Sequence, residues 1–251
     1  MYFFYLAVFV LYGLVIGSFL NVCVYRIPLH ISVAKGRSFC DSCKHTLAPG
    51  DLVPVFSWLV LKGRCRYCHQ PIDKRLPLVE AGNALLYGLI YWRYGLNWLT
   101  AVYCLIASVL LVMALIDHDT HNVYDGTLIA LAVLAVPAVI LDYRGWVQVV
   151  GGAAAMALPL LAIYLATHGN GLGSGDIWLA AIAGCFLGIG RIILAIAGGY
   201  IIAALCLIPK LRSRDVKMKT EVAMLPYLSG GIMVALLFGD ALIRWYLSLI
   251  F

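Results

Sequence analysis

The sequence predicts an all-α polytopic membrane protein of about eight transmembrane helices, with a small cysteine-bearing loop domain between the first two. Three observations predict it: the composition, the length of the apolar runs, and the placement of the polar residues. Of 251 residues, 63% are hydrophobic and 12% charged, and mean hydropathy is +0.95. A soluble domain carries roughly 25% charged residues. The apolar runs approach the 20 or so residues that a helix needs to cross about 30 Å of hydrocarbon. They lack the short alternating pattern that membrane β-strands require.

Eight spans follow, at about 2–24, 77–94, 98–116, 124–142, 146–166, 176–190, 191–209 and 226–249. The first has neither a charged leading region nor a small-residue cleavage pattern, so it reads as a retained span rather than a signal peptide. The sixth is short and contains Gly184, Gly188 and Gly190, so its helix is expected to be tilted or broken. An uncharged start and Arg26 at its end orient the first span with the N-terminus outside. Segments 25–76, 117–123, 167–175 and 210–225 are then cytoplasmic. Nine of the 18 Lys and Arg residues fall in the first of these and five in the last. The other four, Arg93, Arg144, Arg191 and Arg244, fall at or near predicted outer ends, which supports eight spans with both termini outside. The formal charge of +6 therefore reports topology and implies no nucleic-acid partner. The basic stretch 210–219 is expected to lie against anionic lipid headgroups. The chain divides into the first transmembrane helix, 1–24, a cytoplasmic metal-binding domain, 25–76, and a transmembrane core, 77–251.

Within the loop domain, Cys40 and Cys43 form one CxxC and Cys65 and Cys68 a second. Such spacing lets two knuckles present four thiolates to a tetrahedral zinc ion. Disulfides are the competing reading, and a reducing cytoplasm disfavours them. Four thiolates leave no open position for water, so the zinc would be structural. His45 and His69 lie nearby and are unnecessary as ligands. Cys23, Cys104, Cys185 and Cys206 lie in or beside spans and read as apolar filler.

Two acids stand at the ends of apolar runs. Gly173-Ser174-Gly175-Asp176 opens the sixth span, and Ile116-Asp117-His118-Asp119 ends the third. An ionised side chain at the mouth of a span costs about 3 kcal/mol on insertion scales, so it calls for a function. With the orientation above, Asp117 and Asp176 share the cytoplasmic edge. Two carboxyls a few ångströms apart share one proton and titrate as a unit. The ionised member can take a proton from water while the protonated member polarises a scissile carbonyl. Gly173 and Gly175 would let an extended substrate backbone approach. An N-capping Asp behind glycine is the local alternative for Asp176. A polar turn, or a metal site that adds His118, His121 and Asp125, is the alternative for the first cluster. No HExxH appears, so a zincin-type hydrolase lacks support.

Assembled in order, these pieces resemble the type IV prepilin peptidases, GxGD-type aspartyl proteases of bacterial inner membranes. The resemblance runs through Gly17-Ser18-Phe19-Leu20-Asn21-Val22, Tyr25-Arg26-Ile27-Pro28, both cysteine pairs, Lys74-Arg75-Leu76-Pro77-Leu78-Val79-Glu80, Leu115-Ile116-Asp117-His118-Asp119 and the GxGD stretch. It implies that Asp117 and Asp176 are the catalytic pair and that the four cysteines bind zinc. It further implies that the substrate is a prepilin or pseudopilin whose apolar helix lies among the spans, and that the basic leader is cut off at the cytoplasmic face. Many members then methylate the new N-terminus with S-adenosylmethionine. Asn21 and Glu80 match polar positions of the family motifs and are carried as substrate-binding candidates. Two stretches depart from the family pattern: Val123-Tyr124-Asp125 after the first acid, and Met224-Leu225-Pro226-Tyr227-Leu228 before the last span.

Two other functions compete. A transporter of protons or divalent metal would use Asp117, His118, His121, Asp125 and Asp176 as a path, and a membrane-anchored zinc module would only recruit partners. Asp119 is the reserve candidate for the first acid.

Overall fold

The computed structural model describes residues 1–169, 172–212 and 222–250. Among them the ordered elements are helical, with only two isolated bridges, Phe39 with Thr46 and Arg64 with Pro71. The α-helices are α1 (Tyr2–Arg26), α2 (Phe56–Val60), α3 (Arg75–Tyr94), α4 (Trp98–Thr120), α5 (Asp125–Leu141), α6 (Trp146–Ala166), α7 (Ser174–Leu187), α8 (Ile189–Arg212) and α9 (Leu225–Ile250). All but α2 fall where a span is expected from the sequence. Five of them, α1, α4, α6, α8 and α9, are long and apolar enough to cross a membrane, while α5 and α7 are shorter apolar helices. Of the basic stretch 210–219, residues 213–219 lie outside the described residues.

Two boundaries move for local reasons. The sixth and seventh helices divide at Gly188, not between 190 and 191. Gly188 has φ +78° and donates its N–H to the Gly184 carbonyl, a conformation that glycine adopts without steric cost. The Gln148 side chain accepts the N–H of Ile189 at 3.1 Å and so satisfies a free donor at the start of α8. At the other boundary, α4 continues past Ile116 to Thr120. It stops where His121 turns to φ +53° and returns its N–H to the Asp117 carbonyl at 2.8 Å.

The chain forms two compact units, Met1–Thr100 and Ala101–Phe251. In the first, α1 packs along α3. Gly13 and Gly17, one turn apart on α1, make this contact: a Cβ at Gly13 would lie 2.6 Å from Ala84 Cα, and one at Gly17 2.7 Å from Glu80 Cα. Small residues at such spacing let membrane helices approach backbone to backbone. Asn83, fully buried, donates its side-chain amide to the Gly13 carbonyl at 2.8 Å. Gly13→Leu is therefore expected to push α1 off α3 and cost about 2–3 kcal/mol, read as a lower unfolding midpoint in detergent. Large apolar side chains on the opposite face of α1, among them Leu11, Tyr12, Val15 and Phe19, are exposed and suited to lipid. At the C-terminal end of α1, buried Arg26 gathers the carbonyls of Ser32 at 3.0 Å and Lys35 at 2.5 Å, folding the chain back into the cysteine loop.

In the second unit α6 packs on α7, and α8 on α9, again through glycine. A Cβ at Gly152 would meet the Gly184 carbonyl and lie 2.9 Å from Gly188 Cα. A Cβ at Gly199 would lie 3.0 Å from the Tyr227 carbonyl. Arg191 is buried and forms a two-pronged ion pair with Asp240, which accounts for the acid inside the last apolar helix.

Candidate active site and metal centre

Asp117 sits three residues before the end of α4, and Asp176 in the first turn of α7. Their relative exposures are 4% and 3%. His118, Asp119, His121 and Asp125 are all exposed, so burial separates Asp117 from its polar neighbours. The two carboxyls lie within electrostatic reach of one another. Among the described residues, the His, Asp, Glu and Cys groupings close enough to hold a metal ion do not include this cluster.

Glycine and valine bring the two helix ends together. A Cβ at Gly175 would fall 2.8 Å from the Val123 Cβ, so the missing side chain is taken up by the turn that follows Asp117. Gly173 precedes the helix with extended backbone, and nothing lies within 4 Å of where its Cβ would be. Of the two glycines, Gly173 leaves open space and Gly175 permits contact within the chain.

The start of α9 completes the site. The backbone N–H of Leu225, the first residue of α9, donates to Asp117 Oδ2 at 2.9 Å in a buried bond. The first N–H groups of a helix have no partner inside it and carry the positive end of its dipole. Asp117 thus serves α9 as an acceptor from a distant part of the chain. Pro226 in that first turn needs no N–H partner and pre-sets the helical φ. Leu225 is the contact that sequence reading missed; the available sign was Pro226 just inside an apolar run.

Asn21 and Glu80 each have partners within the first unit. Asn21 donates its amide to the Leu76 carbonyl at 3.1 Å. Glu80, mostly buried, accepts the Val55 N–H at 2.6 Å. Val55 has φ +60° and ψ −47°, and the Phe56 N–H closes a three-residue turn onto the Pro54 carbonyl at 2.5 Å. A β-branched residue is strained at this φ, and the Glu80 contact helps to hold it there. Val55→Gly is expected to stabilise the loop by about 1 kcal/mol net of the added chain entropy, seen as slower proteolysis around α2.

The four cysteines of the loop converge, their sulfurs all within 4.8 Å of one another. Two knuckles repeat one hydrogen-bond pattern. Cys40 donates its N–H to the His45 carbonyl, as Cys65 does to that of Gln70, and Lys44 and His69 each return an N–H to the first cysteine of their knuckle. Lys44 and His69 both have positive φ, +56° and +58°. The Cys40 and Cys68 sulfurs are 3.8 Å apart. A tetrahedron with arms of about 2.3 Å has edges of about 3.8 Å, so the donor set fits a zinc ion. Backbone hydrogen bonding from Cys43, opposed by burial, brings the Cys40 thiol down to about 7, whereas at Cys68 the Gln70 backbone is outweighed by burial and the neighbouring thiols, which push it up to about 11. The clustered thiols thus share protons rather than ionising one by one. Beside the knuckles, Asp51 takes Arg66 Nε at 2.6 Å and the Tyr67 hydroxyl at 3.2 Å. Burial works against its charge, but these bonds and the Ala48 N–H outweigh it and hold the carboxyl below its usual range.

Comparison with known proteins places the chain in a family. Residues 11–94 match the bacterial peptidase A24 N-terminal domain, and residues 104–208 match the type IV leader peptidase family. A protein of Bacillus subtilis (strain 168) named prepilin leader peptidase/N-methyltransferase is 31% identical over 97% of this chain and 98% of its own. Proteins of the same name from Pseudomonas putida and Neisseria gonorrhoeae are 34% and 30% identical, over 91% and 70% of this chain and 88% and 72% of theirs. No solved structure matches the chain. Joined at both halves to one family and aligned with full-length relatives, the chain belongs to the type IV leader peptidases.

Proposed function

We propose that the protein is an aspartyl endopeptidase of the bacterial inner membrane that removes the leader from prepilins or pseudopilins, with Asp117 and Asp176 as the reacting acids. The observation that carries this reading is the pair of buried carboxyls, from helices distant in sequence, within reach of one another. One carboxylate accepts a proton from water, and the water oxygen bonds to the carbonyl carbon. The protonated partner gives its proton to the carbonyl oxygen. Collapse of the adduct breaks the C–N bond as the nitrogen takes up a proton, leaving a carboxylic acid and an amine. The apolar substrate helix would lie in lipid against the spans, with its basic leader in the cytoplasm.

The finer topology belongs to the same reading: eight spans, both termini outside and the acids at the cytoplasmic face, supported by the Lys and Arg distribution. Residues 25–76 then act as a cytoplasmic module. Cys40, Cys43, Cys65 and Cys68 would hold zinc, which when bound supplies a structural cross-link.

N-methylation of the new N-terminus, named in the relatives, requires a donor such as S-adenosylmethionine. A cavity of about 460 Å³ beside the second knuckle is lined by Leu61, Lys62, Arg64, Cys65, Arg66 and His69. Its basic side chains oppose a sulfonium cation, and it has no carboxylate for a ribose diol. These residues do not fit the donor, and no methyl-transfer step is assigned to them. The transporter reading lacks a path, since Asp117 alone of the residues it draws from the 117–125 cluster is buried. The test is incubation of the purified protein with a full-length prepilin, with mass spectrometry reading leader loss and any added methyl group. A prepilin left intact by folded protein would overturn the assignment.

A further inference from the structure

Among the described residues of the second unit, two buried hydroxyls are left without a hydrogen-bond partner, those of Ser229 and Tyr200, and of these Tyr200 is the one within electrostatic reach of a reacting acid. Tyr200 lies on α8, and its hydroxyl is shielded from solvent without a hydrogen-bond partner. Buried hydroxyls are nearly always bonded, so an orphan calls for an explanation. The hydroxyl lies within electrostatic reach of Asp176 but is not bonded to it. A brace for Asp176 would touch it. A hydroxyl near the acid but not bonded to it instead leaves room for a group that arrives with the substrate.

The fold explains how Tyr200 comes to stand there. Gly188 alone joins α7 to α8, and the two helices pack on one another. Asp176 precedes Gly188 by as many residues as Tyr200 follows it. At about 1.5 Å per residue, both stand about 18 Å from the turn, at one level. The rotation of α8 is set by Gly199, whose missing Cβ admits the α9 backbone, with the Leu228 Cα only 3.1 Å from where that Cβ would be. One turn earlier on α9, the Leu225 N–H holds Asp117. The same short stretch of α9 therefore seats the neighbour of Tyr200 and one of the two acids.

We propose that Tyr200 is a third catalytic group, whose hydroxyl donates a hydrogen bond to the scissile carbonyl oxygen. The proposal rests on the acid-pair reading above. As the water oxygen bonds to the carbonyl carbon, the π pair moves onto the carbonyl oxygen, and the phenol steadies that charge while the protonated carboxyl delivers its proton. Tyr200 keeps its own proton throughout. A phenol suits the place because it donates without adding a charge beside two acids, and its ring is at home in an apolar bundle.

Tyr200→Phe removes the donor and little else. In the full-length protein, assayed on a full-length prepilin, kcat is expected to fall about 100-fold, with KM within about twofold of the parent. The unfolding midpoint is expected to hold or rise, because the lost hydroxyl has no partner. A kcat within about threefold of the parent, or a loss residing wholly in KM, overturns the proposal. Should Tyr200→Phe fail to fold, 3-fluorotyrosine at position 200 keeps the shape and strengthens the acid. A changed kcat supports donation, and an unchanged kcat overturns it. Asp176→Asn is assayed alongside: if it is inactive while Tyr200→Phe is fully active, only the tyrosine assignment fails. An active Asp176→Asn overturns the acid pair itself.

Discussion

Asp117→Asn and Asp176→Asn should each lower the rate of leader removal by at least about 10³-fold, with the protein still inserted and folded. The amide keeps the size of the carboxyl but can neither take a proton from water nor deliver one to a carbonyl. Folding should survive at both positions. An asparagine at 117 still offers an oxygen to the Leu225 N–H, now 2.9 Å from Asp117 Oδ2, so the start of α9 keeps its partner. At 176 the substitution removes a buried acid without changing the packing at Gly175 and Val123. The double variant should be no slower than either single one, because groups that act as a unit are lost as a unit. Single-turnover cleavage with mass spectrometry, beside unfolding curves in detergent, measures all three. Retained cleavage by either single variant would remove that residue from the pair, and exposed Asp119 would be the next to examine.

Metal removal should have a large effect of a different kind, on the stability of the loop more than on the rate of cleavage. The purified protein is expected to carry about one zinc per chain, held by Cys40, Cys43, Cys65 and Cys68. Structural zinc contributes about 10–16 kcal/mol of apparent binding free energy in small metal domains. The loop has little else: of the four cysteines only Cys65 is fully buried, while Leu52, Val53, Phe56, Leu59 and Val60 remain exposed. Chelation or Cys65→Ser should therefore open residues 38–72 to protease while leaving the helices of the second unit intact. Cleavage of prepilin should fall by about tenfold, far less than in the acid variants. Equal and complete inactivation by chelator with unaffected Asp variants would instead favour the recruiting-module reading.

How much of the site is legible in the chain depends on how local each feature is. The cysteine knuckles repeat one pattern within six residues, and their spacing alone announces them. Asp176 is announced by two glycines and an apolar run, and Asp117 by a run that ends on an acid. The roles of the glycines were harder to read. Gly175 is filled by Val123 from another turn, and Gly188 rather than Gly190 ends α7, because one takes the positive φ and the other does not. Asn21 and Glu80 carry contacts to Leu76 and Val55 that no spacing rule describes.

Composition and periodicity alone determined that this chain is a helical membrane protein, where its long helices lie, and which four thiols form a cluster. These are properties of neighbours in sequence, set by the length of hydrocarbon to be crossed and the short reach of a knuckle. Only the tertiary structure decided that Asp117, and not Asp119, is the buried acid, that α9 donates to it from 108 residues away, and that the Tyr200 hydroxyl lies near Asp176 without a partner. Those facts follow from how glycine-lined helices rotate and close on one another, and that rotation is settled by contacts between residues far apart in the chain.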